Sequence, residues 1–276
     1  MRLKTLLTSA TSKLENHSPS ARIDAEVLLG FVLQKDRNYL YSHPEALLTA
    51  KEQKHYEDLV QLRLQGQPVA YLLGEREFWS LKLKVNKHTL IPRPETELLV
   101  ELALERLKRG SKVLELGTGS GAIALALAST RPDLDIIAVD NSKEALAVAQ
   151  TNKQRLALNV HFVYSDWFSD IDNELCFDLI LTNPPYIANQ DPHLKQGDLR
   201  YEPLSALASG KEGLDDIEKI IKGSIKRLKP EGLLLMEHGF EQKLIIQSIL
   251  KDYGYKKIAS WQDWQGLDRV TGGYIE

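Results

Sequence analysis

A chain of 276 residues, 43% of them hydrophobic and 26% charged, has room for one large domain beside a small one and the composition of an ordinary globular protein. Its formal net charge of −3 supplies no overall basic field, which argues against a protein that lives on nucleic acid. A single cysteine, Cys176, excludes an internal disulfide; with no metal-spaced Cys/His cluster it predicts a reducing, cytoplasmic setting without a structural metal, where Cys176 serves as a small core filler.

In chain order, residues 1–14 are amphipathic and lack the continuous apolar stretch and cleavage site of a signal peptide, and no window has the apolar length of a membrane span. Up to about residue 74 the apolar residues recur at helical spacing: Leu3, Leu6 and Leu7, then Ile23, Val27, Leu28 and Phe31, then Leu59, Leu62 and Leu64. Breaks fall at Ser18-Pro19-Ser20, His43-Pro44 and Gly66-Gln67-Pro68, so 1–74 is expected to be a small helical domain with no catalytic constellation of its own. It either recognises a partner or caps the second domain. Residues 75–94 read as a strand or hairpin linker, with Phe78, Trp79, Leu81, Leu83 and Val85 partly alternating with polar residues. In Ile91-Pro92-Arg93-Pro94-Glu95-Thr96-Glu97, Pro94 can open a helix with acidic residues in its first turn. Arg93 then either belongs to a plain linker or lines a cleft.

From 95 to 276 strands and helices alternate. Strands are expected at 112–116, 135–139, 160–164, from 177 to the residues before Asn183, 233–237, 255–260 and 269–274; helices at 122–129, 142–156, 214–228 and 242–253; and a polar loop at 187–210. This alternation predicts an α/β domain with a doubly wound, mostly parallel, Rossmann-like sheet.

The run from Phe177 to Tyr186 is the most informative stretch of that domain. An apolar strand stops at Asn183 and is followed by Pro184, Pro185 and Tyr186. Proline lacks an amide hydrogen and has a locked φ, so the two prolines end the ladder and leave a stiff corner carrying an amide and a phenol. Ligands of open parallel sheets bind beyond such strand ends.

Three further strand ends bear on the ligand. The first runs through Glu115 into Gly117, Thr118, Gly119, Ser120 and Gly121, where glycines allow close backbone approach. The spacing is G-x-G-x-G and not the dinucleotide pattern G-x-G-x-x-G, and Glu115 favours a cationic ligand over a phosphate. Asp140 ends the second strand, where a carboxylate can accept ribose hydroxyls. Asp166 and Trp167 end the third, a carboxylate beside a flat ring suited to adenine. Each feature also has a plainer reading: a tight turn, a cap for the helix near Ser142, a packing ring. Together they point to an adenosine-bearing ligand with a cationic tail, as in S-adenosylmethionine.

Glu115 to Gly121 with Asp140 resembles the first two motifs of class I S-adenosylmethionine-dependent methyltransferases, and Asn183-Pro184-Pro185-Tyr186 resembles their amino-methylating motif. More narrowly, these together with Arg76-Glu77-Phe78-Trp79, the 91–97 segment, Gln196-Gly197-Asp198, Tyr201-Glu202-Pro203 and Glu237-His238-Gly239 resemble the peptide chain release factor glutamine methyltransferase family over nearly the whole chain. The resemblance implies a cytoplasmic, monomeric enzyme that methylates the side-chain amide nitrogen of the glutamine in a Gly-Gly-Gln motif of release factors, without stable nucleic-acid binding. It implies Asn183, Pro184 and Tyr186 as catalytic residues, with Pro185 and Arg93 also meeting the substrate. Glu115, Gly117, Thr118, Gly119, Ser120, Gly121, Asp140, Asp166, Trp167 and Asn183 are implied at the cofactor. The alternatives are an adenine-N6 or other exocyclic-amine nucleic-acid methyltransferase, whose acceptor is also a planar NH2 group, a dinucleotide-dependent dehydrogenase, and a non-catalytic module that binds release factor.

Overall fold

The structure is a computed structural model describing residues 1–276, and it contains two compact units. The first comprises Met1–Glu75 together with Lys195–Tyr201. Its helices are α1 (Leu3–Leu14), α2 (Ala21–Leu33), α3 (Arg37–Ser42), α4 (Ala50–Leu64) and α5 (Val69–Leu73). Their starts are written locally. Thr49 accepts from the Glu52 amide while the Glu52 carboxylate accepts from the Thr49 amide, a reciprocal box at the head of α4, and Asp36 caps α3 through the Tyr39 amide. Leu3, Leu7, Leu14, Leu28, Leu29, Tyr56 and Val60 form the unit's core. Ile23 shares the apolar periodicity but faces solvent, because Asp24, Ala25, Leu28 and Leu29 take the inner face of α2.

Asp24 is buried for a reason. Arg63 Nε donates to Asp24 Oδ2 at 2.7 Å, and Arg63 Nη1 donates to Asp198 Oδ1, also at 2.7 Å. Arg200 and Tyr201 both donate to the Gln65 carbonyl, so Lys195–Tyr201 is fastened to the end of α4 by charge and backbone bonds. The sequence reading placed these residues in one loop of the second domain. Their partners, Arg63 and the Gln65 carbonyl, are distant in the chain, and no local pattern reveals them.

The second unit comprises Arg76–Leu194 and Glu202–Glu276. Strands β1 (Glu75–Phe78) and β2 (Leu81–Lys84) form a hairpin whose two turn residues, Trp79 and Ser80, both have positive φ, the conformation that suits a right-twisted two-residue turn. Then come α6 (Glu97–Arg106), β3 (Lys112–Leu116), α7 (Ala122–Thr130), β4 (Asp135–Asp140), α8 (Lys143–Leu156), β5 (His161–Tyr164), β6 (Phe177–Thr182), α9 (Asp215–Ser224), β7 (Leu228–Glu237), α10 (Lys243–Asp252), β8 (Lys256–Gln262) and β9 (Asp268–Tyr274). The large sheet has seven strands in the order β5-β4-β3-β6-β7-β9-β8, parallel except for β9, which is antiparallel to β7 and β8. Apolar cores fill both faces, so the central strands β3 and β6 are nearly continuous hydrophobic runs.

Two local expectations shift. The helix expected to reach residue 228 ends at Ser224, because the Arg227 carbonyl accepts the Phe177 amide at 2.8 Å and Leu228 already pairs with Phe177 in the sheet. Cys176, expected in the core, is only half-buried at the entry to β6. No helix is long and apolar enough to cross a membrane.

Removing the Arg63 side chain would strand the buried Asp24 carboxylate, so Arg63→Ala is expected to cost the helical unit about 3–5 kcal/mol in urea unfolding and to speed proteolysis within 195–201. The paired change Arg63→Met with Asp24→Asn, which leaves no orphan charge, is expected to cost clearly less.

Candidate active site

Strand order reverses between β4-β3 and β6-β7, the switch point at which doubly wound sheets open a crevice. The register makes this local. Leu116 pairs with Val139 on one side and Thr182 on the other, and Thr182 pairs with Met236. The next residue along each strand is therefore Asp140, Gly117, Asn183 and Glu237, four strand ends set side by side. Thr182 strengthens the seam by donating its buried hydroxyl to the Leu116 carbonyl at 2.9 Å.

A cavity of about 500 Å3 opens over these ends. Of the residues expected at a cofactor, Gly117, Gly119, Asp140, Asp166, Trp167 and Asn183 line it. Gly117 has φ +71°, and a Cβ there would meet the Trp167 ring at 3.4 Å, so glycine serves both the turn and the ring. Gly119 has φ +56° with nothing within 4 Å of where a Cβ would sit, leaving open space above its backbone. Trp167 is itself held in the left-handed region, φ +50°, with its indole nitrogen donating to Asp216 Oδ1 at 3.2 Å. Asp140 accepts the Gly119 amide at 2.8 Å on Oδ2 and the Ser142 amide at 2.9 Å on Oδ1, which fixes its carboxylate and leaves a lone pair on each oxygen. Burial raises its pKa against those bonds. Asp140 thus braces the glycine turn and faces the cavity at once.

Glu115, Thr118, Ser120 and Gly121 do not line the cavity. Alternation along β3 turns Glu115 to the opposite face, under the start of α7, where its Oε2 accepts the Thr118 hydroxyl at 2.7 Å and the Ala124 amide at 3.0 Å. Burial pushes its pKa up to about 8. Ser120 is buried, and its carbonyl accepts Asn152 Nδ2 at 2.9 Å. A Cβ on Gly121 would approach Leu125 and Phe162 to 3.0 Å, so this glycine lets α7 pack. These residues shape the turn from behind.

At the corner, Asn183 and Pro185 face the cavity, and Pro184 is buried. Asn183 Nδ2 donates to Thr96 Oγ1 at 3.2 Å. Tyr186 is held at both ends: its carbonyl accepts Gln242 Nε2 at 3.0 Å, and its hydroxyl lies 3.5 Å from Glu237 Oε1. Burial and the adjacent Glu237 push its phenol well above the ordinary range. Arg93 does not line the cavity; its guanidinium pairs with the buried Glu202, whose other oxygen accepts the Ile91 amide at 2.9 Å. Arg93 and Glu202 thus strap the 91–97 segment in place. His238 is buried, with Nδ1 2.8 Å from the Gly239 carbonyl and Nε2 2.7 Å from the Thr271 hydroxyl. Since a carbonyl only accepts, Nδ1 carries the hydrogen and Nε2 accepts from Thr271. Burial lowers its pKa, and the neutral ring is a structural bolt.

Sequence reasoning missed His88, Thr89 and Leu90, and also Pro203, Ser205 and Ala206, all of which line the cavity. The Tyr201-Glu202-Pro203 motif was the available signal for the second group. Nothing at residues 88–90 distinguishes them from an ordinary turn.

Residues 5–74 match the PrmC N-terminal domain, and residues 94–197 match the methyltransferase small domain. The chain is 50% identical to the release factor glutamine methyltransferase of Shewanella oneidensis over 95% of this chain and 92% of that protein. It is 47% identical to the one of Salmonella typhimurium over 97% of this chain and 96% of that protein. The chain belongs to the release factor glutamine methyltransferase family. In fold alone it also resembles a methyltransferase from Pyrococcus furiosus, 20% identical, with a TM-score of 0.55 over 78% of this chain and 96% of that one.

Members of this family are S-adenosylmethionine-dependent methyltransferases, and the cavity fits that cofactor. Its wall carries Asp140, Asp166 and Asp216 against the single lysine Lys219, a donor set that suits hydroxyls and a sulfonium cation and repels phosphates. The indole of Trp167 and the open backbone at Gly119 supply a flat wall and a cradle.

The charge state of Glu115 yields a pH test. Burial favours its neutral acid in the folded protein, so its stabilisation is fully present below the ordinary carboxylate value of 4.5 and is lost as pH rises through about 8. In urea unfolding at about pH 5 and about pH 9, wild type is expected to lose stability relative to Glu115→Gln at the higher pH.

Proposed function

We infer that the protein transfers a methyl group from S-adenosylmethionine to the side-chain amide nitrogen, N5, of a glutamine in peptide chain release factors, and that this glutamine is the one in their Gly-Gly-Gln motif. The observation that carries the reading is the corner: Asn183 and Pro185 face the same cavity as Asp140, Asp166 and Trp167, so an amide acceptor and an adenosine-bearing donor can meet there. We propose Asn183, Pro184 and Tyr186 as the catalytic residues. The helical domain 1–74 is proposed to receive the release factor, and the enzyme to work as a monomer in the cytoplasm.

The chemical difficulty is the acceptor. An amide nitrogen shares its lone pair with the carbonyl by the resonance that flattens a peptide bond, so it is a poor nucleophile. When bound, S-adenosylmethionine supplies an electrophilic methyl on a sulfonium. The protein's part is to hold the nitrogen in line with it. Asn183 Oδ1 accepts one hydrogen of the substrate NH2 group and the Pro184 carbonyl accepts the other, which orients the group and draws electron density onto nitrogen. Proline at 184 keeps its carbonyl and brings no competing donor. Tyr186, fixed at its carbonyl and its hydroxyl, packs beside the planar amide and excludes water. Positioning of this kind is worth roughly 7–11 kcal/mol in favourable cases. The cationic nitrogen formed on transfer is acidic and loses its proton without a strong base. On the cofactor side, Asp140 accepts the ribose hydroxyls, and Asp166 with Trp167 holds the adenine.

The adenine-N6 alternative has a planar NH2 acceptor as well, and the family membership of the chain weighs against it.

Incubation of release factor with this protein and S-adenosylmethionine, followed by peptide mass spectrometry, is expected to place one added methyl on the Gly-Gly-Gln glutamine and none on nucleic acid. Asn183→Ala is expected to lower the transfer rate on the order of 10²-fold while S-adenosylmethionine still binds in a calorimetric titration. Near-normal transfer by that variant would sink the role given to the corner.

A further inference from the structure

Trp167 stands on the cavity wall in a backbone conformation that a bulky residue rarely adopts, φ +50°, so its neighbours must hold it there. At its backbone, the buried Ser165 hydroxyl donates to the Trp167 carbonyl at 2.9 Å. At its ring, the indole Nε1 donates to Asp216 Oδ1 at 3.2 Å. The far edge of the ring lies over Gly117, where a Cβ would stand 3.4 Å away.

Asp216 is the second residue of α9, a place where the helix dipole alone favours a carboxylate. Its oxygens do more than that. Oδ1 accepts from the indole and, also at 3.2 Å, from the exposed Lys219 ammonium, while Oδ2 accepts the Ser209 hydroxyl at 2.7 Å. Ser209 is buried, and its Oγ accepts the Asp216 amide at 2.9 Å, so the two residues bond reciprocally. The segment around Ser209 is in turn paired with the residue that follows the corner. The Ser209 amide donates to the Ile187 carbonyl and the Ile187 amide to the Leu207 carbonyl, both at 2.9 Å. Ile187 comes directly after Tyr186. A single carboxylate is thus bonded through one oxygen to the ring on the donor wall and through the other to the segment that pairs with the acceptor corner.

We propose that Asp216 is a positioning residue with two arms: through Oδ1 it fixes the Trp167 indole against the adenine of S-adenosylmethionine, and through Oδ2 and Ser209 it fixes the backbone at Tyr186 and Ile187 beside the methyl acceptor. The inference rests on the methyl-transfer reading, which supplies both ligands. A ring ordered before the cofactor arrives saves the entropy of ordering it on binding, and a corner ordered in the same way holds the acceptor nitrogen in line.

The test titrates the full-length enzyme with S-adenosylmethionine in a calorimeter and assays methyl transfer to intact release factor, with thermal melting recorded alongside. The variants are Asp216→Ala, Asp216→Asn, Ser209→Ala, Trp167→Phe and the double variant Trp167→Phe/Asp216→Ala. Asp216→Ala is expected to weaken cofactor binding roughly 5- to 10-fold, the loss of one hydrogen bond to a charged group. It is also expected to lower kcat at saturating cofactor about 10-fold. Ser209→Ala, which cuts only the second arm, is expected to lower kcat with cofactor affinity near that of wild type. Asp216→Asn removes the charge but keeps an oxygen that can accept the indole hydrogen, so it is expected to retain most of the affinity lost in Asp216→Ala. In the Trp167→Phe background, which keeps a flat ring without the N–H, Asp216→Ala is expected to add no further loss of affinity. Equal losses in Asp216→Asn and Asp216→Ala would assign the effect to charge on the cavity wall and overturn the inference. Losses of affinity that multiply in the double variant, or unchanged kcat in Ser209→Ala, would overturn it as well, while leaving methyl transfer by wild type intact. Absence of glutamine methylation by wild type would overturn the underlying reading and this inference together.

Discussion

Parallel register across the centre of the sheet is the constraint from which the site follows. Once Leu116 is aligned with Val139 and Thr182, and Thr182 with Met236, the residues that leave those strands are abreast whatever their side chains. A slip of one residue in β6 would turn Asn183 toward the opposite face and break the bond from the Thr182 hydroxyl to the Leu116 carbonyl. The two prolines act on this background. They remove amide donors just where the ladder must stop, so the strand ends at a defined residue. The position of Asn183 thus depends on hydrophobic packing on both faces of the sheet, and it is the packing of β3 and β6 that fixes this half-buried amide.

Three carboxylates sit at or near these strand ends, and burial raises the pKa of each for different use. Glu115 faces away from the cavity, holds the head of α7 and is pushed up to about 8. Asp140 faces the cavity and is braced by backbone amides from Gly119 and Ser142, which work against its desolvation. Glu237 is pushed up to about 7 with few bonds to favour its charge. The difference lies in what each oxygen can reach. Backbone amides are obligatory donors that cannot reverse, so Asp140 is locked as an acceptor, whereas Glu237 receives only the long contact from the Tyr186 hydroxyl. Buried carboxylates therefore differ according to their neighbours: Glu115 anchors a helix, Asp140 braces the glycine turn, and Glu237 is left poorly satisfied.

The sheet was legible because its signals are local. Apolar runs of strand length, helices between them and glycine or proline at the joins define the alternation, and the site lies where alternation of that kind says a ligand belongs. Asn183, Asp140, Trp167 and the cradle glycines could be found as strand-end residues. Glu115 illustrates the limit: its position beside the glycines suggests a ligand contact, yet the period of two along β3 directs it behind the turn. Arg93 illustrates another, since its partner Glu202 is far along the chain and only the fold joins them. Residues 195–201 were read with the loop that contains them, although Asp198 pairs with Arg63 in the helical unit. Long-range ion pairs have no periodicity, so a single sequence does not disclose them.

The corner by itself does not choose between glutamine and adenine, since both present an NH2 group on a planar sp2 carbon. What the corner shows is narrower: an amide and a proline on a cavity whose wall is acidic and not basic. That acidity bears on the acceptor as well as on the donor. A phosphate brought toward Asp140, Asp166 and Asp216, with Lys219 the only lysine on the wall, would meet charge of its own sign. A glutamine side chain on a protein loop brings a neutral amide and no phosphate. The corner treats the two acceptors alike, and it is the family to which the chain belongs that selects glutamine.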